Sequence, residues 1–401
     1  MQNWKKMIVL FMVSQTISLL GSMLVMYAIM WHITLSTSSG LMMTIYVLCS
    51  FIPGIMMMPF AGVWADRLDR KKLMIYADLL IAFVTLIIAI VFIIGIRDLW
   101  IVFIVAVIRA FGQAIHQPAV LAVYPSIVPK DKLLKVQGIS QGIQSASLII
   151  MPLLAGLLLS LFEIEFILFI DVVTALIAVV MLLTVIHIPK NVNKQHMNEI
   201  KYMEDIKNGI KYARQHKLIF SILMFAFVYM ILVAAPSFLT YLQVARVFGP
   251  EAWRLSILET LFGVGMLLGS IVIALWGGFK NRMITFFLSY MMIGIGTMGL
   301  GVPFNFWVYV SMWSFVGFFI SISSPIMTTL IQEKVDPEYI GRIFSVFGLI
   351  NTVSLPLGML LFGPLSDVVD ISLIILLSGL GMVVLSSIMM FNKTLIKEGF
   401  K

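Results

Sequence analysis

Three carboxylates, Asp78, Asp171 and Glu259, and one guanidinium, Arg109, stand inside stretches of sequence that are otherwise almost wholly apolar. A charge in such surroundings is costly unless it is paired, so each marks a place where the chain needs ionic chemistry. A carboxylate held there can bind and release a proton as burial and a switchable partner charge change, which is the chemistry of proton coupling. Glu259 ranks first for this role, because Asp171 and Asp78 have shorter side chains and can be held permanently by a neighbouring helix. The competing expectation for all three is a fixed ion pair or a satisfied hydrogen bond. Arg109 is followed by Gln113, His116 and Gln117 at i+4, i+7 and i+8, which puts amides and an imidazole on one helical face. That face should line a wet cavity, with His116 a wall residue or a proton relay. Gln15, Ser18 and Ser22 form a similar polar stripe, as do Gln137, Gln141 and Gln144.

The elements that position these groups must be membrane spans. The chain has 401 residues, 61% hydrophobic and 11% charged, and a mean hydropathy of +1.06, far from the balance of a soluble domain. Its apolar runs reach the ~20 residues that a helix needs to cross ~30 Å of hydrocarbon. Twelve such runs are expected, near 7–31, 41–64, 73–95, 99–123, 137–160, 164–187, 218–242, 253–276, 283–302, 306–330, 342–364 and 371–391. The first reads as a retained span rather than a cleaved signal. Trp4, Trp31, Trp100 and Trp253 at run ends suit an interfacial belt. One cysteine, Cys49, and five scattered histidines leave no basis for a disulfide framework or a metal centre. Metalloprotease, phosphate-loop and nucleophile-elbow motifs are absent, so the sequence gives no sign of an enzyme or of a cofactor.

Of the 27 lysines and arginines, all but Arg97, Arg109, Arg246 and Arg254 fall on the side of the N-terminus. The positive-inside rule then predicts cytoplasmic termini, and the net charge of +8 reflects orientation in a bilayer and calls for no nucleic-acid partner. The longest polar segment separates an N-terminal bundle, 1–188, from a C-terminal bundle, 218–401. In that linker, 189–217, Ile200, Met203, Ile206 and Ile210 share a face, predicting a basic amphipathic helix on the membrane surface. The halves look related: an offset of 207 superposes Pro118 on Pro325, Val128 on Val335 and Asp131 on Glu338. A repeat of this kind is what a transporter of two six-helix bundles would carry.

"GVWADRLDRKK", Gly62 to Lys72, packs charge between the second and third spans. There the chain resembles the major facilitator superfamily, whose loop reads G-x-x-x-D-[RK]-x-G-[RK]-[RK]. Gly62, Asp66, Arg67, Arg70 and Lys71 match, and Asp69 stands where the pattern has glycine. The stretches "RAFGQAIHQPA", "SQGIQSASLIIMPLLAGLL" and "QEKVDPEYIGRIFS" narrow the likeness to the drug-efflux branch that includes the macrolide-efflux proteins of Gram-positive bacteria. The resemblance implies an all-α protein of twelve transmembrane helices in two pseudo-symmetric bundles. It further implies a bacterial cytoplasmic-membrane monomer exporting hydrophobic drugs, macrolides foremost, in exchange for protons. No cofactor is implied, and an ATPase subunit is not required. A siderophore or another lipophilic cargo on the same fold is the alternative; a membrane-embedded enzyme is the remaining one. By resemblance the charged loop is a cytoplasmic gate, spans 1, 4, 7 and 10 surround the cavity with Gln15, Ser18, Arg109, Gln113, Tyr229 and Ser314, and spans 5 and 11 hinge at Pro152, Gly156 and Pro356.

Overall fold

The computed structural model describes residues 4–129, 132–184, 186, 202–336 and 338–392. It contains thirteen α-helices among these residues and no strand. They are α1 (Trp4–Thr37), α2 (Gly40–Arg67), α3 (Arg70–Ile93), α4 (Leu99–Ile127), α5 (Leu133–Leu161), α6 (Ile164–Thr184), α7 (Tyr202–Gln215), α8 (Lys217–Gln243), α9 (Ala252–Trp276), α10 (Arg282–Leu300), α11 (Phe306–Lys334), α12 (Ile340–Leu365) and α13 (Ile371–Met390). All but α7 are long and apolar enough to span a bilayer, so twelve spans are observed as expected. A π-helical turn, Val244–Phe248, extends α8 and ends at Gly249, whose φ of 118° only glycine adopts readily.

The chain forms two compact units, one comprising Met1–Ser36, Ile45–Met197 and Glu251–Ser256, the other Thr37–Thr44, Asn198–Pro250 and Ile257–Lys401. In the first, α3 packs along α4 and α6. Phe11, Met74, Ala119, Val123, Ile127 and Leu182 build one end of its core, where Tyr124 meets Phe11 edge to face at 5.8 Å. Gly112 lets α4 close on α3, since a β-carbon there would stand 2.6 Å from Ile81. Large apolar side chains such as Phe83, Leu157 and Val180 remain exposed, as a surface solvated by lipid tails requires. Trp31 departs from the expected interfacial belt: it is fully buried, with its ring 5.5 Å from that of Tyr27.

In the second unit α10 lies between α11 and α13, and α8 packs on α12. Phe225, Tyr229, Phe286, Phe287 and Tyr290 interlock as an aromatic core. Gly265 and Gly269, one turn apart on α9, meet the α11 carbonyls of Ser314 and Phe318 so closely that a β-carbon at either would overlap them. Small residues bring helix backbones together where lipid supplies no hydrophobic drive to do so.

The linker helix α7, Tyr202–Gln215, falls in the segment where an amphipathic helix is expected. Among its described residues Gly209, Tyr212 and Ala213 are buried, and Gly209 meets the Arg342 carbonyl, whereas Ile210 is 37% exposed. Ile200 and the side chains of Met203 and Ile206 lie outside the described residues. Tyr212 donates to Asp336 Oδ2 at 3.0 Å, accepts from the Asp336 N–H at 3.1 Å, and stacks on Tyr339 at 4.3 Å. The helix therefore docks on its own bundle through a tyrosine and a glycine that a purely aliphatic pattern does not register.

Candidate functional site

The ionic centre of the first unit lies among α1, α3, α4 and α6. Arg109 Nη1 stands 2.5 Å from Asp171 Oδ2, with side chains only 8% and 1% exposed. Arg109 also donates to the Thr85 hydroxyl, which in turn donates to the Ile81 carbonyl at 2.8 Å, and Ser22 donates to Asp171 Oδ1 at 3.4 Å. Thr85, about two turns along α3 from Asp78, carries no sign of this role in the sequence, because a threonine in an apolar helix usually bonds its own backbone.

Beside this pair the same unit holds a partly open cavity of about 490 Å³ lined by α1, α3, α4 and α5. The polar stripes read from the sequence converge on it: Gln15, Ser18 and Ser22 from α1, Gln113, His116 and Gln117 from α4, Gln137, Gln141 and Gln144 from α5. Arg109 is the exception, since it turns to Asp171 and does not line the cavity. Asp78 supplies the carboxylate instead. It is 3% exposed, and its Oδ1 accepts from Ser18 at 3.1 Å. His116 Nε2 approaches that oxygen to 3.4 Å but without hydrogen-bond geometry, so the contact gains ionic strength only when the imidazole is protonated. Met12, Met23 and Met26 add soft apolar wall.

In the second unit Glu259 accepts a hydrogen bond from Tyr241. Tyr229, expected on a cavity wall, is 1% exposed within the aromatic core and donates to the Tyr290 carbonyl at 2.6 Å. Ser314 sits where α11 crosses α9 at Gly265. Pro152 and Pro356 lie inside α5 and α12. The Pro152 carbonyl accepts from Ser256 at 2.7 Å, and a β-carbon at Gly156 would meet that same serine.

The charged loop explains itself locally. Asp69, in place of the family's glycine, adopts an extended conformation (φ −69°, ψ 108°) and caps α3, accepting from the N–H groups of Lys71 at 3.0 Å and Lys72 at 3.3 Å. Arg70 donates to the carbonyls of Ala65 and Ala122 at 3.0 and 2.8 Å, and Lys71 to that of Ile186 at 2.9 Å. Cations thus satisfy carbonyls near helix C-termini, where the helix dipole favours them. The surroundings of Gly62 and the side chains of Asp66 and Arg67 lie outside the described residues.

At the opposite ends of α3 and α6, Arg97 bridges Glu163 at 3.2 Å and Glu165 at 2.9 Å. The Glu165 charge beside it raises the Arg97 pKa further above its ordinary value. In the second unit, Asp367 accepts from Ser39 Oγ and the N–H groups of Gly40 and Leu41, at 2.8, 2.8 and 3.0 Å, and pairs with Arg246 at 3.0 Å. Partial burial alone would raise the Asp367 carboxyl, but these donors outweigh it and hold the pKa below its usual value.

Twelve membrane-length helices, a buried ion pair and a cavity of mixed polar and apolar lining in one bundle are the architecture of a multi-pass membrane protein. The chain belongs to the Major Facilitator Superfamily, whose sequence pattern matches residues 7–359. It is 34% identical over 379 residues to Macrolide efflux protein A of Streptococcus pyogenes, covering 94% of this chain and 93% of that one. Macrolide efflux protein A of Enterococcus faecalis is 35% identical over 314 residues, 78% of this chain and 97% of its own. Among solved structures, the nucleoside transporter NupG superposes with a TM-score of 0.71 at 17% identity, over 98% of this chain and 100% of that one, a likeness of fold. The family is one of transporters rather than enzymes.

Proposed function

We propose that this transporter exports lipophilic antibiotics, macrolides foremost, in exchange for protons by alternating access. The cavity of the first unit carries the reading: its volume of about 490 Å³ suits a small molecule, and thioether walls, amides and one buried carboxylate give it both apolar and polar grip. The 34% identity to a macrolide efflux protein over 94% of the chain supports the cargo class. Glu259 is the proton-coupling group, with Asp171 and Asp78 as further carboxylates and Arg109 the switchable partner. Gly62, Asp66, Arg67, Arg70 and Lys71 form the gate on the cytoplasmic side, and Pro152, Gly156 and Pro356 provide bends on which helices rock. The protein acts as a monomer in the bacterial cytoplasmic membrane with both termini inside, an orientation supported by the lysine and arginine bias.

The test is accumulation of labelled erythromycin in pump-deficient cells expressing the wild type or Glu259→Gln, with and without a protonophore. Accumulation should be low in the wild type alone and rise with either the protonophore or the substitution. Unchanged accumulation on expression sinks the macrolide assignment and turns the search to siderophores and other lipophilic drugs. Export that persists in Glu259→Gln moves the coupling role to another carboxylate.

A further inference from the structure

The cavity of the first unit is chemically lopsided. Among the described residues lining it, Asp78 is the single carboxylate, no lysine or arginine is present, and His116, whose Nε2 lies 3.4 Å from Asp78 Oδ1, is the single imidazole. Asp78 is 3% exposed, and its Oδ2 has no hydrogen-bond partner among the described residues. Across from it Gln15, 9% exposed, has both ends of its amide without partners. Buried polar atoms left in this condition lose their hydration without recompense, and a ligand that satisfies them recovers it. An anionic oxygen with an uncommitted lone pair asks for a cation that can also donate a hydrogen bond. Glutamine amides, each both donor and acceptor, ask for hydroxyl and ether oxygens. The methionines and Ile81 ask for hydrocarbon.

We propose that this cavity is a subsite for a protonated amine set among hydroxyl and ether oxygens on an apolar body, the substitution pattern of an amino sugar on a large lipophilic ring. The ammonium hydrogen-bonds Asp78 Oδ2, and the neighbouring oxygens take the amides of Gln15 and of the α4 and α5 glutamines. The inference rests on the drug-export reading and specifies which end of the drug the first unit grips. It differs from proton coupling in that Asp78 acts here as a ligand for the cargo.

The test uses the purified full-length protein in lipid nanodiscs and two labelled macrolides sharing one lactone ring, one with a dimethylamino sugar and one in which an acetyl group replaces one N-methyl, making that nitrogen a neutral amide. The wild type should bind the amine form about tenfold or more tightly, the size expected for a hydrogen bond to a buried charge. Asp78→Asn should abolish the preference, bringing the two forms to equal affinity, and retained binding of the acetylated form reports that the variant is folded. Gln141→Leu should weaken both forms alike. Equal wild-type affinity for the two forms, or a preference that survives Asp78→Asn, overturns the subsite while the drug-export reading stands. Should Asp78→Asn fail to fold, the wild-type comparison and Asp78→Glu, which should keep the preference, decide the matter. Binding of neither macrolide strikes the macrolide reading; a dimethylalkylamine against its uncharged isostere then judges the subsite alone, and absence of any preference overturns it.

Discussion

Arg109 and Asp171 form an ion pair deep in the first bundle, with their side chains 8% and 1% exposed. Removing one partner leaves the other charge buried and uncompensated, a loss of about 3–5 kcal/mol. Asp171→Asn should therefore melt markedly earlier than wild type in detergent. The double variant Arg109→Gln with Asp171→Asn should melt later than Asp171→Asn alone, because it strands no charge. A double variant as unstable as the sum of its parts would show that the two residues contribute independently.

Asp69 stands where the family pattern has glycine and caps α3. Its replacement by alanine should cost about 1 kcal/mol, and by glycine only a few tenths, because an unobstructed glycine N-cap is nearly as good. Denaturation of the two variants side by side checks this. No loss in either variant would mean the cap hydrogen bonds contribute little.

Asp367 supplies a pH dependence with a definite sign. Its folded-state pKa lies below the ordinary value of 3.8, so the stability it contributes is complete above pH 3.8 and is lost as pH falls through the lowered value. The stability gap between wild type and Asp367→Asn should be constant near neutrality and close in acid below pH 3.8. A gap that closes on the alkaline side instead would contradict the hydrogen bonds seen at Ser39, Gly40 and Leu41.

Glycines in this chain predict opposite outcomes by location. Gly265→Ala places a methyl group on the Ser314 carbonyl and should destabilise by about 1–3 kcal/mol through forced separation of α9 and α11. Gly138 lies within α5 with nothing in reach of an added β-carbon. Gly138→Ala should stabilise by about 0.5–1 kcal/mol through helix propensity. Thermal melts of both variants check the contrast.

The twelve spans were legible because a bilayer imposes length and hydropathy that no packing detail can mask. The cavity walls were legible too, because Gln137, Gln141 and Gln144 recur at helical spacing on α5 and Gln113, His116 and Gln117 on α4. What a helical stripe does not carry is the identity of a distant partner. Arg109 belongs to the α4 stripe by angle, yet Asp171, 62 positions away, claims it. Trp31 sits at the end of an apolar run and looks interfacial, but the length of α1, 34 residues, leaves room for it to pack inside. The docking face of α7 was hidden because Gly209 and Tyr212 act through close approach and a phenol hydrogen bond rather than through aliphatic area.

The glutamines around the cavity have one more consequence. A primary amide exchanges donor for acceptor by turning half a revolution about its last bond, with no movement of the backbone and almost no change of shape. Six such side chains, Gln15, Gln113, Gln117, Gln137, Gln141 and Gln144, surround one space. Under the proposed export function their wall is a rewritable pattern: each guest would set its own sequence of donors and acceptors, and selectivity would loosen without the helices having to loosen with it.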